Sequence, residues 1–263
     1  MGNKVKRAIK LVVIIAIIAL ALFVITKLEL EIGTRTADFT IKRLHPIELF
    51  GYTFYLTSTH VALVIVSAVL IILAVIVNKK VMKMEDDETP DGLVNVFELA
   101  VEAVDNMVQG IMGRHGTKFR NYIATVMIFA LLCNISGLFG LRPPTADYGV
   151  TLSLGMLTFF IIHYNGIKSN GISHFTGLFK PLLLSPINII GEIATPLSLS
   201  LRLFGNILSG TVMMGLIYGL LPPAVKTGMP GILHIYFDLF SGCIQAYVFC
   251  MLTMVYVTDK IGD

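Results

Sequence analysis

Long apolar runs recur along the chain and decide the solvent in which it can fold. Their approximate limits are Leu11 to Thr26, Val61 to Val77, Tyr122 to Leu141, Thr151 to Tyr164, Leu182 to Leu221 and Ile232 to Val257. A helix needs about 20 apolar residues to cross the hydrocarbon core of a bilayer. The chain is also 55% hydrophobic and only 14% charged. We therefore predict an all-α polytopic membrane protein with about five or six membrane segments.

The rest of the composition narrows the class further. The three cysteines, Cys133, Cys243 and Cys250, lie inside apolar runs, where a thiol behaves as a small hydrophobe. We predict no disulfide, no metal site and no cofactor. The net charge is +3, and the Lys and Arg residues stand in short clusters beside apolar runs. This pattern indicates orientation in a lipid bilayer rather than nucleic-acid binding.

The first apolar run follows a basic stretch and fits either a signal-peptide core or a membrane anchor. No A-x-A cleavage site follows Thr26, and the next residues are LELEIGTRTADF. The pattern favours an uncleaved anchor, although the run is a little short for a span. We divide the chain into an N-terminal anchor with an outer loop, residues 1–58, and a membrane domain, residues 59–263.

A segment with helical periodicity follows the acidic linker MEDDETPDG. Its apolar positions are Leu93, Phe97, Ala100, Val104, Val108 and Ile111, and its polar positions are Glu98, Glu102, Asp105 and Gln109. The two sets fall on different faces of a helix. We predict an amphipathic helix lying at the membrane interface, not a span.

The last two runs are longer than a span requires, so they must be tilted or broken. Pro186 and Pro196 are the natural break points in the first of them. We expect the two runs to form a long, tilted antiparallel hairpin. Alternating the spans from an inside N-terminus gathers most Lys and Arg on one side, and the positive-inside rule then places both termini in the cytoplasm.

Arg202 lies in PLSLSLRLFGNILSG, a stretch otherwise free of charge. An arginine at mid-helix in a membrane costs about 2.5 to 3.5 kcal/mol on insertion scales. It either snorkels, sits in a static ion pair, or faces a water-filled path or the carboxylate of a partner. Helical spacing places it in a polar stripe: Thr195, Ser198, Arg202, Asn206 and Ser209. Single Ser or Thr hydroxyls in such a stripe can instead bond back to helix carbonyls.

The final run has its own polar stripe, formed by His234, Asp238, Ser241, Gln245 and Tyr256. In an antiparallel hairpin that sets Arg202 level with Gln245, Thr211 is level with Asp238, and Glu192 with Val255 and Tyr256. Asp238 then lies toward the outer side and Glu192 toward the cytoplasm, each several turns from Arg202. This is the layout of a broken ion path with a cation at the break, and we expect no salt-bridge partner for Arg202 within the chain.

At these residues the chain resembles subunit a of the F-type ATP synthase membrane sector, also called ATP synthase subunit 6. PLSLSLRLFGNILSG and IQAYVFCMLTMVYV are similar to the two signature segments of that family. The similarity extends in order from DGLVNVFELAVEAVDNMV through NISGL and PTADYGVTLSL to the C-terminus.

The resemblance implies a non-catalytic, ion-conducting stator in a bacterial plasma membrane, with two half-channels that couple H⁺ or Na⁺ flow to ATP synthesis. It implies a rotor c-ring, peripheral-stalk b subunits and the rest of the synthase as partners. Arg202 matches the essential arginine that faces the rotor carboxylates, Gln245 the glutamine opposite it, and Asn206 and Asn134 two family asparagines. With the two stripes, the candidate ion-translocation residues are Arg202, Gln245, Asn206, Asp238, Glu192, Asn134, Ser198 and His234.

The chain departs from the family at a few points. Thr211 stands where many members carry a glutamate, so Asp238 alone is expected to serve the outer channel, and the basic-led first run is not a core feature. Two rival functions lack their own signals. A secondary transporter would carry an internal repeat, and none is evident. A membrane hydrolase would carry a motif such as HExxH or GxSxG, and both motifs are absent. No GxxxxGK[ST] nucleotide motif occurs.

Overall fold

A computed structural model describes residues 43–49, 52–83, 92–171, 173, 185–220 and 229–262. The first apolar run and most of the acidic linker lie outside these residues, so the N-terminal anchor and its boundary at residue 58 stay predictions. Within the described part, five helical stretches are long and apolar enough to cross a membrane. They are Ser58–Val81, Val94–Phe139, Tyr148–Asn170, Ser185–Gly219 and Gly231–Ile261. The predicted all-α polytopic membrane fold is confirmed.

A β-hairpin precedes the first of these helices. Strand β1, Arg43–Leu49, pairs antiparallel with β2, Tyr52–Thr57, and Ile47 lies opposite Phe54. The aromatic and β-branched residues of YTFYLT favour extended backbone. The sequence predicted only an outer loop in this segment, and the structure adds a hairpin to it.

Helix α1, Ser58–Val81, follows β2 directly. Its buried residues are Thr59, Ala62 and Val66, and most of its other apolar side chains point outward. A helix that is apolar on all sides and little covered by protein suits the lipid-facing rim of a bundle.

Helices α2, Leu93–Met112, and α3, Gly116–Ile135, are joined by one 3₁₀ turn, Gly113–His115. Val104 and Val108 of α2 are buried in the core of the protein. A Cβ atom on Gly116 would lie 2.9 Å from Val108 Cγ1, so α3 begins with a residue that lets the two helices meet closely.

The polar face of α2 points outward, as its sequence pattern predicted. Glu98, Glu102 and Gln109 are exposed. Asp105 is half-buried and forms a salt bridge of 3.1 Å with Arg120 of α3. The amphipathic helix is therefore confirmed, while its place at a membrane interface stays a prediction.

Helix α4, Tyr148–Asn170, begins after Asp147, whose carboxylate accepts a 3.0 Å hydrogen bond from the Gly149 amide. Small and polar residues line its buried face: Thr151, Gly155, Thr158 and Gly166. A Cβ atom on Gly155 would lie only 2.8 Å from the carbonyl oxygen of Pro196. Small residues at this position let two helix backbones approach, as is usual between membrane helices.

Helix α5, Ser185–Leu220, is continuous over 36 residues. The helix passes through Pro196, one of the two possible break points, without interruption. Pro186 lies in the first turn, where a helix tolerates proline since the backbone N–H has no partner there. A helix of this length extends about 54 Å, well beyond a hydrocarbon core of about 30 Å. Of the two alternatives for this run, the structure shows no break within Ser185–Leu220, and the tilt stays a prediction.

The C-terminal helix has three parts: α6, Met229–His234, a π-helical segment, Ile235–Ser241, and α7, Gly242–Ile261. Helix α7 supplies much of the core through Phe249, Cys250, Met254 and Val257, which are buried in one cluster with α2, α3, α4 and α5. Its end is held by α4, since Ser169 Oγ and Asn170 Nδ2 donate to the Ile261 and Lys260 carbonyls at 2.7 Å.

Candidate functional site

Two contacts define the register between α5 and the C-terminal helix. Asn206 Nδ2 donates a 2.7 Å hydrogen bond to Ser241 Oγ. One turn further along, a Cβ atom on Gly210 would lie 3.2 Å from Phe237 Cβ. Both contacts belong to one antiparallel register, and that register sets Arg202 level with Gln245, as the sequence predicted.

Arg202 lies in the middle of α5 with its side chain exposed. The nearby Leu199 and Leu203 are 2% and 1% exposed, so one flank of the helix at this level is packed against the protein. The salt bridges among the described residues all join other groups. Within the described part of the chain, Arg202 therefore has no carboxylate partner, and Gln245 makes no side-chain hydrogen bond there either.

The rest of the polar stripe on α5 divides into two kinds of residue. Thr195 Oγ1 donates to the Gly191 carbonyl at 3.0 Å, and Ser209 Oγ donates to the Asn206 carbonyl at 2.8 Å. These two hydroxyls bond back to their own helix, which is the structural alternative for such residues. Ser198 is exposed one turn before Arg202.

A polar cluster lies near the α6 end of the hairpin. His234 Nδ1 is 2.5 Å from Asp238 Oδ2, and His234 Nε2 is 3.1 Å from the Tyr218 hydroxyl. The side chains of His234 and Asp238 are 28% and 13% exposed. His234 and Asp238 were predicted from the sequence, but Tyr218 was not. The hairpin register does not set Tyr218 level with His234, so spacing carried no signal for this contact.

The contact between Gly210 and Phe237 sets Asp238 level with Ser209, two residues from the predicted Thr211. Thr211 and Asp238 also have different side-chain partners. Thr211 Oγ1 donates to the Ile207 carbonyl of its own helix at 2.9 Å. The Asp238 carboxylate lies against Gly137, in the 3₁₀ turn Ser136–Phe139 that follows α3. A Cβ atom on Gly137 would be 3.0 Å from Asp238 Cγ. The carboxylate therefore faces the end of α3.

A second cluster surrounds Glu192, near the other end of α5. Lys260 Nζ donates to Glu192 Oε1, and His163 Nε2 lies 3.8 Å from Glu192 Oε2. Glu192 and Tyr256 line one cleft of about 680 Å³, as expected for residues at the same depth. His163 and Lys260 were not predicted as neighbours of Glu192, because helical spacing does not say which way α4 is rotated.

Asn134 is completely buried. Its Nδ2 donates to the Gly242 carbonyl at 2.8 Å, and its Oδ1 accepts a 2.8 Å hydrogen bond from Thr145 Oγ1. The amide is thus bonded to protein groups at both ends. Thr145 was not selected from the sequence.

Together these residues form an exposed cation with a carboxylate cluster on either side. Along α5, Arg202 is about 15 Å from Glu192 and about 10 Å from Ser209, the residue level with Asp238, given the rise of an α-helix. Within the described residues, no group of three or more His, Cys, Asp or Glu side chains could hold a metal ion. The groups present can exchange protons or attract ions at two separate depths.

Comparison with known proteins assigns these elements to a family. The family model described as "ATP synthase A chain" matches residues 60–258. The chain is 38% identical over 185 residues to a Propionigenium modestum protein named "ATP synthase subunit a, sodium ion specific". That match covers 64% of this chain and 63% of the relative.

A second relative is covered almost completely. The chain is 33% identical over 233 residues to "ATP synthase subunit a" of Priestia megaterium, a match that covers 82% of this chain and 96% of the relative. Arg202 and both carboxylate residues lie inside the matched family region. The chain therefore belongs to the ATP synthase A chain family, as a multi-pass, ion-translocating subunit of the synthase membrane sector.

Proposed function

We propose that this chain is the ion-conducting stator of a rotary F-type ATP synthase and that Arg202 faces the carboxylates of a rotor c-ring. The observation that carries the proposal is the exposed guanidinium at the middle of α5, which has no partner in the described part of the chain. An unpaired cation at mid-membrane is costly. A carboxylate on a neighbouring subunit would remove that cost at each encounter.

The strength of such an encounter suits a rotary cycle. Two unit charges about 4 Å apart attract by about 4 kcal/mol at an effective dielectric constant of about 20. This is enough to favour the ionised form of an arriving carboxylate, and weak enough for the pair to separate as the ring turns. Gln245, level with Arg202, adds an uncharged polar group where an ion must leave one half-path before entering the other.

The two half-channels start from the two carboxylate clusters. Asp238, with His234 and Tyr218, serves the outer path, and Glu192, with His163, serves the inner path. The cleft of about 680 Å³ beside Glu192 gives that carboxylate access to one end of the bundle. Arg202 keeps the two paths from joining, because a fixed positive charge repels a cation that would pass directly between them.

Both termini lie in the cytoplasm of a bacterial cell in this proposal, and the peripheral-stalk b subunits hold the chain against rotation. The conducted ion is H⁺ or Na⁺. ATP synthesis itself belongs to other subunits, and this chain couples the ion flow to it.

Arg202→Ala in the reconstituted complex tests the proposal. We expect ATP-driven ion uptake to be lost, while the detached catalytic head hydrolyses ATP at its normal rate. Arg120→Ala is the matched control, because it removes an exposed arginine whose partner, Asp105, lies on a neighbouring helix. Ion uptake at the wild-type rate in Arg202→Ala would rule out the proposed role.

A further inference from the structure

The π-helical segment Ile235–Ser241 interrupts the C-terminal helix at the place where Asp238 lies. In a continuous α-helix, residues seven apart point within about 20° of each other. Asp238 would then share the direction of Gln245. The wider turns of the π segment separate them, and π turns are rare in proteins and frequent at functional sites.

The side chains of the segment accordingly meet two different elements. Phe237 and Ser241 face α5, where they meet Gly210 and Asn206. Asp238 faces the 3₁₀ turn after α3 instead, where Gly137 leaves room for its carboxylate. The direction of Asp238 therefore depends on the winding of this segment.

Asn134 contacts the residue at which π winding returns to α winding. That residue is Gly242, whose carbonyl accepts the hydrogen bond from Asn134 Nδ2. A Cβ atom on Gly242 would lie 2.9 Å from Asn134 Cβ, so a glycine is needed for this approach. Asn134 is fully buried. Removing one partner of a buried hydrogen bond leaves the other partner unsatisfied, which costs more free energy than the loss of an exposed hydrogen bond.

Thr145 satisfies the other end of the Asn134 amide. The Gly242 carbonyl can only accept, so it takes the NH₂ group, and the Thr145 hydroxyl donates to Oδ1. Thr145 is itself fully buried, in the 3₁₀ turn Pro144–Ala146. The Asn134 side chain is thus anchored at its Oδ1 end by a residue outside the C-terminal helix.

We propose that Asn134, anchored at its Oδ1 by Thr145, is a positioning residue: it holds the π segment through Gly242 so that the Asp238 carboxylate lies against Gly137 and beside His234. Asn134 and Gly137 belong to consecutive turns of one segment. The same piece of chain therefore fixes the end of the π segment and makes space for its carboxylate. The importance of this placement for ion flow rests on the proposed function, but the placement itself does not.

Disulfide cross-linking between positions 137 and 238 tests the placement. A Cβ atom at 137 lies 3.0 Å from Asp238 Cγ, the position that the sulfur of a cysteine at 238 would occupy. The experiment uses the assembled synthase, with Cys133, Cys243 and Cys250 replaced by alanine. We expect Gly137→Cys with Asp238→Cys to form a disulfide, and Gly137→Cys with Leu239→Cys to form none.

Substitutions of Asn134 and Thr145 in this cysteine pair then test whether these residues hold the π segment. Adding Asn134→Leu should reduce the cross-link to the level of the Leu239→Cys pair. Thr145→Val should weaken the cross-link, and this variant tests the same contact if the Asn134→Leu variant fails to assemble. Thr145→Ser keeps the hydroxyl and should preserve the cross-link. An unchanged cross-link in both Asn134→Leu and Thr145→Val would overturn the positioning role.

A cross-link at position 239 in place of 238 would overturn the orientation of the carboxylate. Because disulfide formation needs no ion transport, this result is independent of the Arg202→Ala experiment.

Discussion

Asn206 of α5 donates a hydrogen bond of 2.7 Å to Ser241 in the π segment of the C-terminal helix. It is a side-chain to side-chain bond between the helix that carries Arg202 and the segment that carries Asp238. The bond sets the depth of Arg202 relative to that of Asp238. Its loss should therefore affect the ion path more than the loss of a similar hydroxyl elsewhere.

Ser241→Ala should slow ATP-driven ion uptake by the reconstituted complex. The substitution leaves the half-buried Asn206 amide without its acceptor, at a cost of about 1 kcal/mol. Ser209→Ala is the control, because Ser209 Oγ donates to a carbonyl of its own helix. Equal uptake by the two variants would show that the bond between the helices does not matter for transport.

Asp238→Asn should lower ion uptake and change its dependence on external pH. The side chain keeps its size and its place against Gly137, but it loses the charge beside His234. Uptake measured over a series of pH values reports the change. Asp105→Asn, at a surface salt bridge with Arg120, should leave the profile as it is. A profile identical to that of the wild type would assign Asp238 to structure.

Lys260→Gln should reduce ion uptake by leaving Glu192 with His163 as its remaining basic neighbour in the cluster. The effect on the melting temperature should be small, since partly exposed ion pairs contribute at most about 1 kcal/mol. Lys260→Arg preserves the charge and should retain most of the activity. If Gln and Arg at this position transport ions equally well, the charge of Lys260 has no part in the inner path.

Gly155→Ala should destabilise the subunit, because the new Cβ would lie 2.8 Å from the Pro196 carbonyl oxygen. Overpacking of this kind costs about 1 to 3 kcal/mol. Gly110→Ala in α2 is the control, since nothing lies within 4 Å of its Cβ position and alanine favours a helix. Thermal unfolding of the complex separates the two, and equal midpoints would refute the close approach.

Much of the membrane architecture could be predicted because lipid leaves few alternatives. Every apolar run in the described part became a helix, and the register of the hairpin followed from Arg202 and Gln245. The direction of each side chain around its helix was harder to predict. Tyr218 and His163 lie on neighbouring turns or helices whose rotation is set by packing, which single-sequence spacing does not contain.

The π segment was also beyond prediction, for a related reason. Seven residues are too few to establish a period that differs from that of an α-helix. The segment is held by Asn134 and Asn206, which lie far away in sequence. At Pro196 the local sequence was misleading in the other direction. A proline inside an apolar run is a strong signal for a helix break, yet the helix continues through it.

Gly155 meets the backbone of α5 at Pro196, less than two turns from Arg202. This contact joins the backbones of two helices, and it supports α5 close to Arg202. In the proposed function, Arg202 is the residue on which a moving rotor subunit would exert force. A contact through a flexible side chain at that point would let α5 shift more under the same force. A glycine on another helix, by lacking a side chain, therefore gives α5 a direct backbone support close to Arg202.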